Sequence, residues 1–270
     1  MNNLEKKMVE VLTDLRENHH ITGVKAEFET EGTRLEEALR LKEIVTKANL
    51  DLTIKIGGCE AIKDMHEARA IGVKAIIAPM IETPYAMEKY INAVKFVFPK
   101  EEQEDMDFLI NVETITGFEN LNKIISSPCF NDLSGVVLGR VDMTGSMGLT
   151  REDTNSDEIF KIATSMASSV ETAKKDFIVG GEVSSRSLDF FRRLPYISRF
   201  ETRKIIFDAK EAIKDKNAVT GIMKAVGFEL MWLKNKHDIY GVIYQEDDYR
   251  VQMLEKRYKK LVEEVSGICV

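Results

Sequence analysis

Short apolar segments alternate with longer amphipathic ones along most of this chain, and this alternation limits the fold more than any other feature. The predicted strands are Val24–Glu29, Thr53–Gly57, Lys74–Met80, Asp107–Glu113, Gly135–Gly139, Asp176–Gly181 and Ile197–Glu201, the last of which could continue through Ile206. Helices are predicted over Thr33–Ala48, Glu60–Ile71, Pro84–Val94, Gly117–Ser126, Ser156–Ala173 and Ser187–Arg193. Repeated strand–helix units of this kind are typical of an α/β fold with a parallel sheet. The pattern does not identify an eighth strand.

The length of the chain is suited to one α/β barrel. Its 270 residues are 44% hydrophobic, which is sufficient for one large core. No run rich in proline, glycine and serine divides the chain, so we predict a single domain over residues 1–270. The barrel core is expected at residues 20–208, and additional C-terminal helices are expected at residues 209–270.

Charge and cysteine content exclude several classes of protein. The net charge of −7 and the lack of a basic stripe argue against a nucleic-acid partner. Residues 1–18 are charged and amphipathic, unlike a secretory signal, and no apolar stretch is long enough for a membrane span, so a cytoplasmic location is expected. Cys59, Cys129 and Cys269 are widely spaced, which predicts reduced thiols and neither a zinc site nor a disulfide framework.

Two predicted strands lead into carboxylates. Glu113 ends the segment Ile110-Asn111-Val112-Glu113, and Asp142 follows the segment Val136-Val137-Leu138-Gly139 by three residues. Because parallel barrel strands all end at one face, these two carboxylates should lie near each other there. Carboxylate oxygens are preferred ligands of hard divalent cations. The pattern therefore predicts a divalent cation at the catalytic face of a barrel.

Charged residues also alternate with apolar ones inside the strands. Successive side chains of a strand point to opposite faces, so the charges share one face in each case. They are Lys25, Glu27 and Glu29 in the first strand, Lys55 in the second, Asn111 and Glu113 in the fourth, and Arg199, Glu201 and Arg203 in the last. Helices covering the apolar faces would direct these charges to the interior, where an unpaired charge is costly. They must pair with a metal, with a charged ligand, or with one another in a closed structural network.

Several motifs resemble the HpcH/HpaI aldolase and citrate lyase superfamily. The resemblance runs from about Lys25 to Leu149 and rests on Val112-Glu113-Thr114-Ile115-Thr116-Gly117 and on Leu138 to Gly148. Upstream, Ile54-Lys55-Ile56-Gly57 and Ala78-Pro79-Met80-Ile81-Glu82-Thr83 are similar to the same pattern. The resemblance implies a modified (β/α)8 TIM barrel in which Glu113 and Asp142 bind Mg²⁺ or Mn²⁺. It also implies making or breaking a C–C bond next to an enolate derived from a pyruvate-like compound or from acetyl-CoA.

That chemistry assigns roles to further residues. A cation on the protein should balance a substrate carboxylate or the enolate oxygen, and Lys55 is the candidate. Lys55 stands where the family usually has arginine, and it would also permit a Schiff-base mechanism. Gly139, Met80 and Glu29 are the predicted substrate-binding residues. Arg140 follows the glycine where the family usually has proline; it is a candidate catalytic residue that could contact an anionic substrate group or pair with an acid.

Proton transfer is the step for which the sequence departs most from the family. The aldolase branch carries a Glu-His pair on the first strand, but here Glu27 is followed by Phe28. Glu27 is therefore the predicted acid/base, with Glu29, a metal-bound water or a residue of another subunit as alternatives. The four histidines, His19, His20, His66 and His237, are expected on exposed helices or loops.

Together these features predict a divalent-metal-dependent carbon–carbon lyase or aldolase acting on a small acidic 2-oxo compound. The alternatives are a CoA-thioester lyase of the citrate lyase beta-subunit type and a non-catalytic metabolite-binding barrel.

Gly180-Gly181-Glu182 follows a strand, where glycines either expose backbone N–H groups to an anion or relieve steric crowding.

The C-terminal region departs from the barrel pattern. Val251, Leu254, Tyr258, Leu261, Val265 and Ile268 recur at alternating steps of three and four, which predicts an apolar stripe on a helix. With Ile222, Val226 and Leu230 on a preceding helix, the stripe could fold back onto the barrel or dock on a neighbouring subunit. We expect a homo-oligomer.

Overall fold

The computed structural model describes residues 1–266, with side chains in the last helix as far as residue 262. The chain forms two compact units, Met1–Glu229 and a second that begins at Leu230. The first contains eight strands, which close into a barrel in chain order. They are β1 (Ile21–Glu27), β2 (Asp51–Lys55), β3 (Ala75–Ala78), β4 (Asp107–Asn111), β5 (Gly135–Gly139), β6 (Asp176–Gly180), β7 (Arg199–Glu201) and β8 (Ile205–Asp208).

Helices precede, connect and follow these strands. They are α1 (Asn3–His19), α2 (Leu35–Lys47), α3 (Ile62–Ile71), α4 (Pro84–Val97), α5 (Lys100–Gln103), α6 (Ile115–Glu119), α7 (Leu121–Ile125), α8 (Arg140–Ser146), α9 (Asp157–Thr172), α10 (Ser187–Arg193), α11 (Ala209–Ala212) and α12 (Ala218–Ser266). Two 3-10 helices lie at Pro128–Asp132 and Arg151–Asn155. Among the described helices, none is both long enough and apolar enough to cross a membrane.

The barrel has an apolar layer at its centre and charges above it. Ile77, Leu109, Val137 and Ile178, from four adjacent strands, form a buried cluster. The strand register aligns Lys55 with both Glu27 and Ile77, so the charged residues of β1 and β2 stand next to each other at the carboxyl-terminal ends. The predicted closed α/β barrel is confirmed, and the predicted convergence of strand charges on its interior agrees with the burial of Lys25, Glu27 and Lys55.

The eighth strand is antiparallel to both of its neighbours. β8 pairs with β7 and with β1 in the antiparallel sense, whereas the other strand pairs are parallel. A tight turn joins β7 to β8, in which the Thr202 N–H donates to the Ile205 carbonyl at 2.9 Å. This turn replaces the helix that a regular (β/α)8 barrel has between its last two strands. The alternation of strands and helices therefore could not identify β8, which lies in the possible continuation of the last predicted strand.

A single long helix follows the barrel. The two C-terminal helices expected from the sequence are one continuous helix, α12, that starts in the first unit at Ala218. Ile222 is buried, whereas Val226 and Leu230 are exposed, so Ile222 does not belong to the exposed stripe. Of the predicted stripe residues, Ile268 lies outside the described residues. The side chain of Val265 lies outside them as well.

The close contact of β5 with β6 leads to a test of barrel packing. A Cβ on Gly135 would lie 2.5 Å from the Asp176 carbonyl oxygen, and backbone cannot move out of the way cheaply. We expect Gly135→Ala to lower the free energy of unfolding by about 1–3 kcal/mol, measured by urea denaturation. Gly58→Ala is the matched control, because nothing lies within 4 Å of its Cβ position. Equal stability of the two variants would contradict the strand register.

Candidate active site

A cavity of about 370 Å³ opens at the carboxyl-terminal ends of the strands. Its walls come entirely from the first unit, and half of the lining residues are charged. The charged side chains are Lys25, Glu27, Lys55, Glu113, Asp142, Arg151, Glu182, Glu201, Arg203 and Glu229. Active sites of α/β barrels lie at this face, so this cavity at the strand ends is the candidate active site.

Lys25 joins β1 to β7 through two carboxylates. Its ammonium contacts the Glu201 carboxylate directly and lies 3.3 Å from Glu27 Oε1, and all three side chains are buried. Burial alone would lower the pKa of Lys25, but Glu201 and Glu27 raise it well above its usual value. Lys25 is therefore permanently charged at neutral pH. Neither Lys25 nor Glu201 was among the predicted site residues, although both belong to the alternating charges of their strands.

Glu27 lies among three cations. Burial would raise its pKa, but Lys25, Lys55 and Arg203 outweigh burial and hold the pKa below its usual value. Arg203, from the turn between β7 and β8, lies 3.4 Å from Glu27 Oε2. Glu27 is consequently an ionised carboxylate near neutral pH, a form that accepts a proton.

Lys55 lies between two other carboxylates. Its Nζ lies 2.8 Å from Glu29 Oε2 and 3.3 Å from Glu113 Oε1. Burial would lower the pKa of Lys55, but Glu113, Glu29 and Glu27 together raise it. A charged ammonium suits the balancing of a substrate anion and disfavours the Schiff-base alternative, which requires a neutral amine.

Backbone and side-chain donors hold Glu113 in a fixed position. Its Oε1 accepts from the Met80 N–H at 3.1 Å, and its Oε2 accepts from Asn111 Nδ2 at 2.6 Å. Met80 has a φ of 51°, in the left-handed region, and this conformation aims its N–H at the carboxylate. A Cβ on Gly139 would lie 2.3 Å from Glu113 Oε2, so only glycine leaves room for the carboxylate there. Gly139 and Met80 thus act on Glu113 directly.

The second predicted ligand, Asp142, lies in the first turn of α8 and lines the same cavity. Burial raises the pKa of Glu113, and the nearby Asp142 carboxylate raises it further, against the lowering effects of Lys55 and Asn111. Two carboxylates on one cavity are a common arrangement around a divalent cation.

Oxygen donors at the cavity fit a hard divalent cation. Among the described residues no group of three or more histidine, cysteine, aspartate or glutamate side chains is placed to hold a metal. The buried Oδ1 of Asn111, however, has no hydrogen-bond partner, and Asn111 lines the cavity beside Glu113. Two carboxylates and one free amide oxygen match the ligand chemistry of Mg²⁺ or Mn²⁺ and leave positions for water and substrate. Sequence reasoning placed Asn111 on the inward face without giving it a role.

Arg140, the remaining candidate catalytic residue, has its side chain inside the protein. It is fully buried and does not line the cavity. Its guanidinium donates to the Gly180 and Gly181 carbonyls at 3.0 and 2.6 Å and to Asn155 Oδ1 at 2.6 Å, and it lies over the rings of two phenylalanines. Its donors are thus directed to carbonyl and amide oxygens inside the protein and not into the cavity. Arg140 connects β5 to the loop after β6.

Gly181 is needed for this close approach. It has a φ of +82°, and a Cβ there would lie 2.9 Å from the Arg140 backbone nitrogen. The glycine pair after β6 therefore relieves crowding, which was one of the two interpretations of the sequence. Glu182 follows with a φ of 50° and pairs with Arg151 at 2.5 Å on the rim of the cavity.

No histidine lines the cavity. His66 and His237 are exposed as expected, but His19 is buried at the end of α1, with its Nε2 3.0 Å from Lys224 Nζ. Burial and Lys224 lower the pKa of His19. Proton transfer at the cavity therefore depends on carboxylates, lysines or water.

Comparison with known proteins decides the family. The family model of HpcH/HpaI aldolase/citrate lyase matches residues 33–184, more than half of the chain. The chain belongs to the HpcH/HpaI aldolase/citrate lyase family. Membership makes the protein a lyase-type enzyme, in a family whose members generally depend on a divalent metal. No curated protein matches the sequence significantly.

Solved structures agree on the barrel. Citrate synthase SbnG matches with a TM-score of 0.59 at 14% identity, over 86% of this chain and 90% of that one. An HpcH/HpaI aldolase/citrate lyase family protein of Burkholderia cenocepacia J2315 matches with a TM-score of 0.57 at 12% identity, over 72% and 92%. The HpcH/HpaI aldolase of Desulfitobacterium hafniense DCB-2 matches with a TM-score of 0.56 at 10% identity, over 68% and 76%. At these identities the similarity establishes the fold alone.

The buried pair of Lys25 and Glu201 provides a test of the charge network. Lys25→Met should lower the free energy of unfolding by about 3–5 kcal/mol, because it leaves buried carboxylates without their cation. Lys25→Met combined with Glu201→Leu should recover most of that loss. The measurement is urea denaturation at pH 7.

Lys63→Met is the control for this test. Lys63 also pairs with a glutamate, Glu67 at 2.6 Å, but its side chain is solvent-exposed, so its loss should lower stability far less than the loss of Lys25 does. If Lys25→Met were no more destabilising than Lys63→Met, the network around Lys25 would not be energetically coupled.

Proposed function

We propose that the protein is a divalent-metal-dependent carbon–carbon lyase that acts on a small acidic 2-oxo compound through an enolate. One observation carries this proposal: Glu113, Asp142 and the free Oδ1 of Asn111 face one cavity together with a charged Lys55. Hard oxygen donors beside a fixed cation suit a substrate that is an anion and becomes more negative during the reaction.

Glu113 and Asp142 are the proposed metal ligands, with Asn111 as a third oxygen donor. A bound Mg²⁺ or Mn²⁺ would supply chelation of the 2-oxo acid and stabilisation of negative charge on its oxygen. The Met80 N–H holds the Glu113 carboxylate by a hydrogen bond, and Gly139 leaves the space that the carboxylate occupies. Glu29 positions the Lys55 ammonium, whose charge would balance the substrate carboxylate.

Glu27 is the proposed proton acceptor. It lines the cavity and is held ionised by Lys25, Lys55 and Arg203. In the cleavage direction, such a carboxylate could take the proton of a hydroxyl group on the carbon whose C–C bond breaks. In the reverse direction, it could take a proton from the carbon next to the 2-oxo group. Arg203 takes the place of Arg140 as the proposed arginine for an anionic group, because Arg203 lines the cavity and Arg140 does not.

Enolate formation can be measured without knowing the complete substrate. In deuterium oxide with Mg²⁺, the protein should catalyse exchange of the methyl protons of pyruvate, followed by proton NMR. Exchange should stop with a chelator and in the Glu113→Gln, Asp142→Asn double variant. Glu27→Gln should slow exchange by about 100-fold or more while calorimetry still detects pyruvate binding. Glu182→Gln is the control, because Glu182 is a carboxylate on the same cavity that pairs with Arg151.

Other outcomes would identify a different function. Binding of acetyl-CoA in calorimetric titration, without binding of pyruvate or oxaloacetate, would favour a CoA-thioester lyase. Metal-dependent binding of an oxoacid without exchange would indicate a metabolite-binding barrel. If binding and exchange persist in the Glu113→Gln, Asp142→Asn variant, Glu113 and Asp142 are not the metal ligands.

A further inference from the structure

Most of the exposed apolar residues of α12 recur at the spacing of a heptad repeat. Starting from Val219, the stripe positions follow one another at alternating steps of four and three residues. They are Val219, Met223, Val226, Leu230, Leu233, His237, Tyr240, Tyr244, Asp247, Val251, Leu254, Tyr258 and Leu261. Most of the large apolar side chains exposed on this helix lie at these positions. A heptad stripe sustained over this length is the surface of a coiled coil.

Two polar residues interrupt the stripe and limit how it can pair. His237 and Asp247 occupy stripe positions and are both exposed. In a parallel, in-register pair of helices, each of these residues would face the same residue of the second chain. Two Asp247 carboxylates would then meet in the interface. Like charges in that position are destabilising, and a polar seam residue commonly selects orientation and register.

An antiparallel pair resolves this conflict. If His237 of one chain lies opposite Asp247 of the second, the remaining positions match as well. Leu230 then faces Leu254, Leu233 faces Val251, and Tyr240 faces Tyr244, each pair occurring twice.

We propose that residues 230–254 form an antiparallel coiled coil with a second copy of this chain, in the register that pairs His237 with Asp247. The orientation rests on these two residues, since the flanking charges do not decide it: Lys234 would face Asp248, but Lys236 would face Arg250. The apolar layers supply most of the association, and the polar pair excludes the parallel arrangement. This interface is independent of the proposed reaction and extends the expected homo-oligomer to a defined geometry.

Mass and one matched pair of variants test the interface. Sedimentation of the full chain at about 10 μM should give twice the monomer mass, as expected for an affinity in the micromolar range or tighter. Leu254→Glu should raise the dissociation constant by about 100-fold, because each dimer would bury the new carboxylate twice. Met253→Glu should leave it unchanged, since Met253 is as exposed as Leu254, at 53%, but lies outside the stripe. A monomeric wild type would overturn the proposal, as would equal effects of the two variants.

Cross-linking tests the orientation. In a background with the three native cysteines replaced by serine, Leu233→Cys and Val251→Cys should each remain uncross-linked under mild oxidation. A mixture of the two should give a disulfide-linked dimer, because these positions face each other only in the proposed antiparallel register. Cross-linking of either variant with itself would establish a parallel pair and overturn the register, and so would a mixture that does not cross-link. Circular dichroism confirms that each variant keeps the helix.

Discussion

Charge buried at the ends of the barrel strands is the constraint on which the rest of this structure depends. A lysine or glutamate placed inside a barrel without a partner would cost several kcal/mol. Lys25 is therefore paired with Glu27 and Glu201, and Lys55 with Glu29 and Glu113. Apart from Lys25–Glu27, which lies within β1, these pairs cross from one strand or strand end to another, and they fix the side chains around the cavity above the apolar layer.

The same network keeps the site chemically prepared. Lys25 and Lys55 stay cations because neighbouring carboxylates raise their pKa, and Glu27 stays an anion because three cations lower its pKa. Glu113 is the exception, since burial and Asp142 raise its pKa. The charge balance around Glu113 and Asp142 is thus incomplete within the protein itself, which is the physical reason to expect a cation there.

Period-two alternation was sufficient to predict which strand residues point inward, because the geometry of a strand leaves no other possibility. The motifs between about Lys25 and Leu149 were sufficient to predict the family, whose model matches residues 33–184. Arg140 could not be placed this way, because its direction is set by carbonyls of the loop after β6, which are distant in sequence. The antiparallel β8 could not be predicted either. The prediction relied on strands alternating with helices, and no helix separates β7 from β8. That Asn111 Oδ1 has no hydrogen-bond partner could not be predicted, because it depends on the three-dimensional arrangement of the surrounding groups.

The hairpin between β7 and β8 changes how this barrel can recognise phosphate. Barrel enzymes frequently bind phosphate with backbone N–H groups from the loops after their last two strands, next to a short helix. Here a tight turn occupies the place of the first of those loops, and it presents the Arg203 side chain to the cavity. A ligand anion at that side of the cavity would therefore meet the planar guanidinium fork of Arg203, held by Glu27 and Glu229, in place of a row of backbone N–H groups.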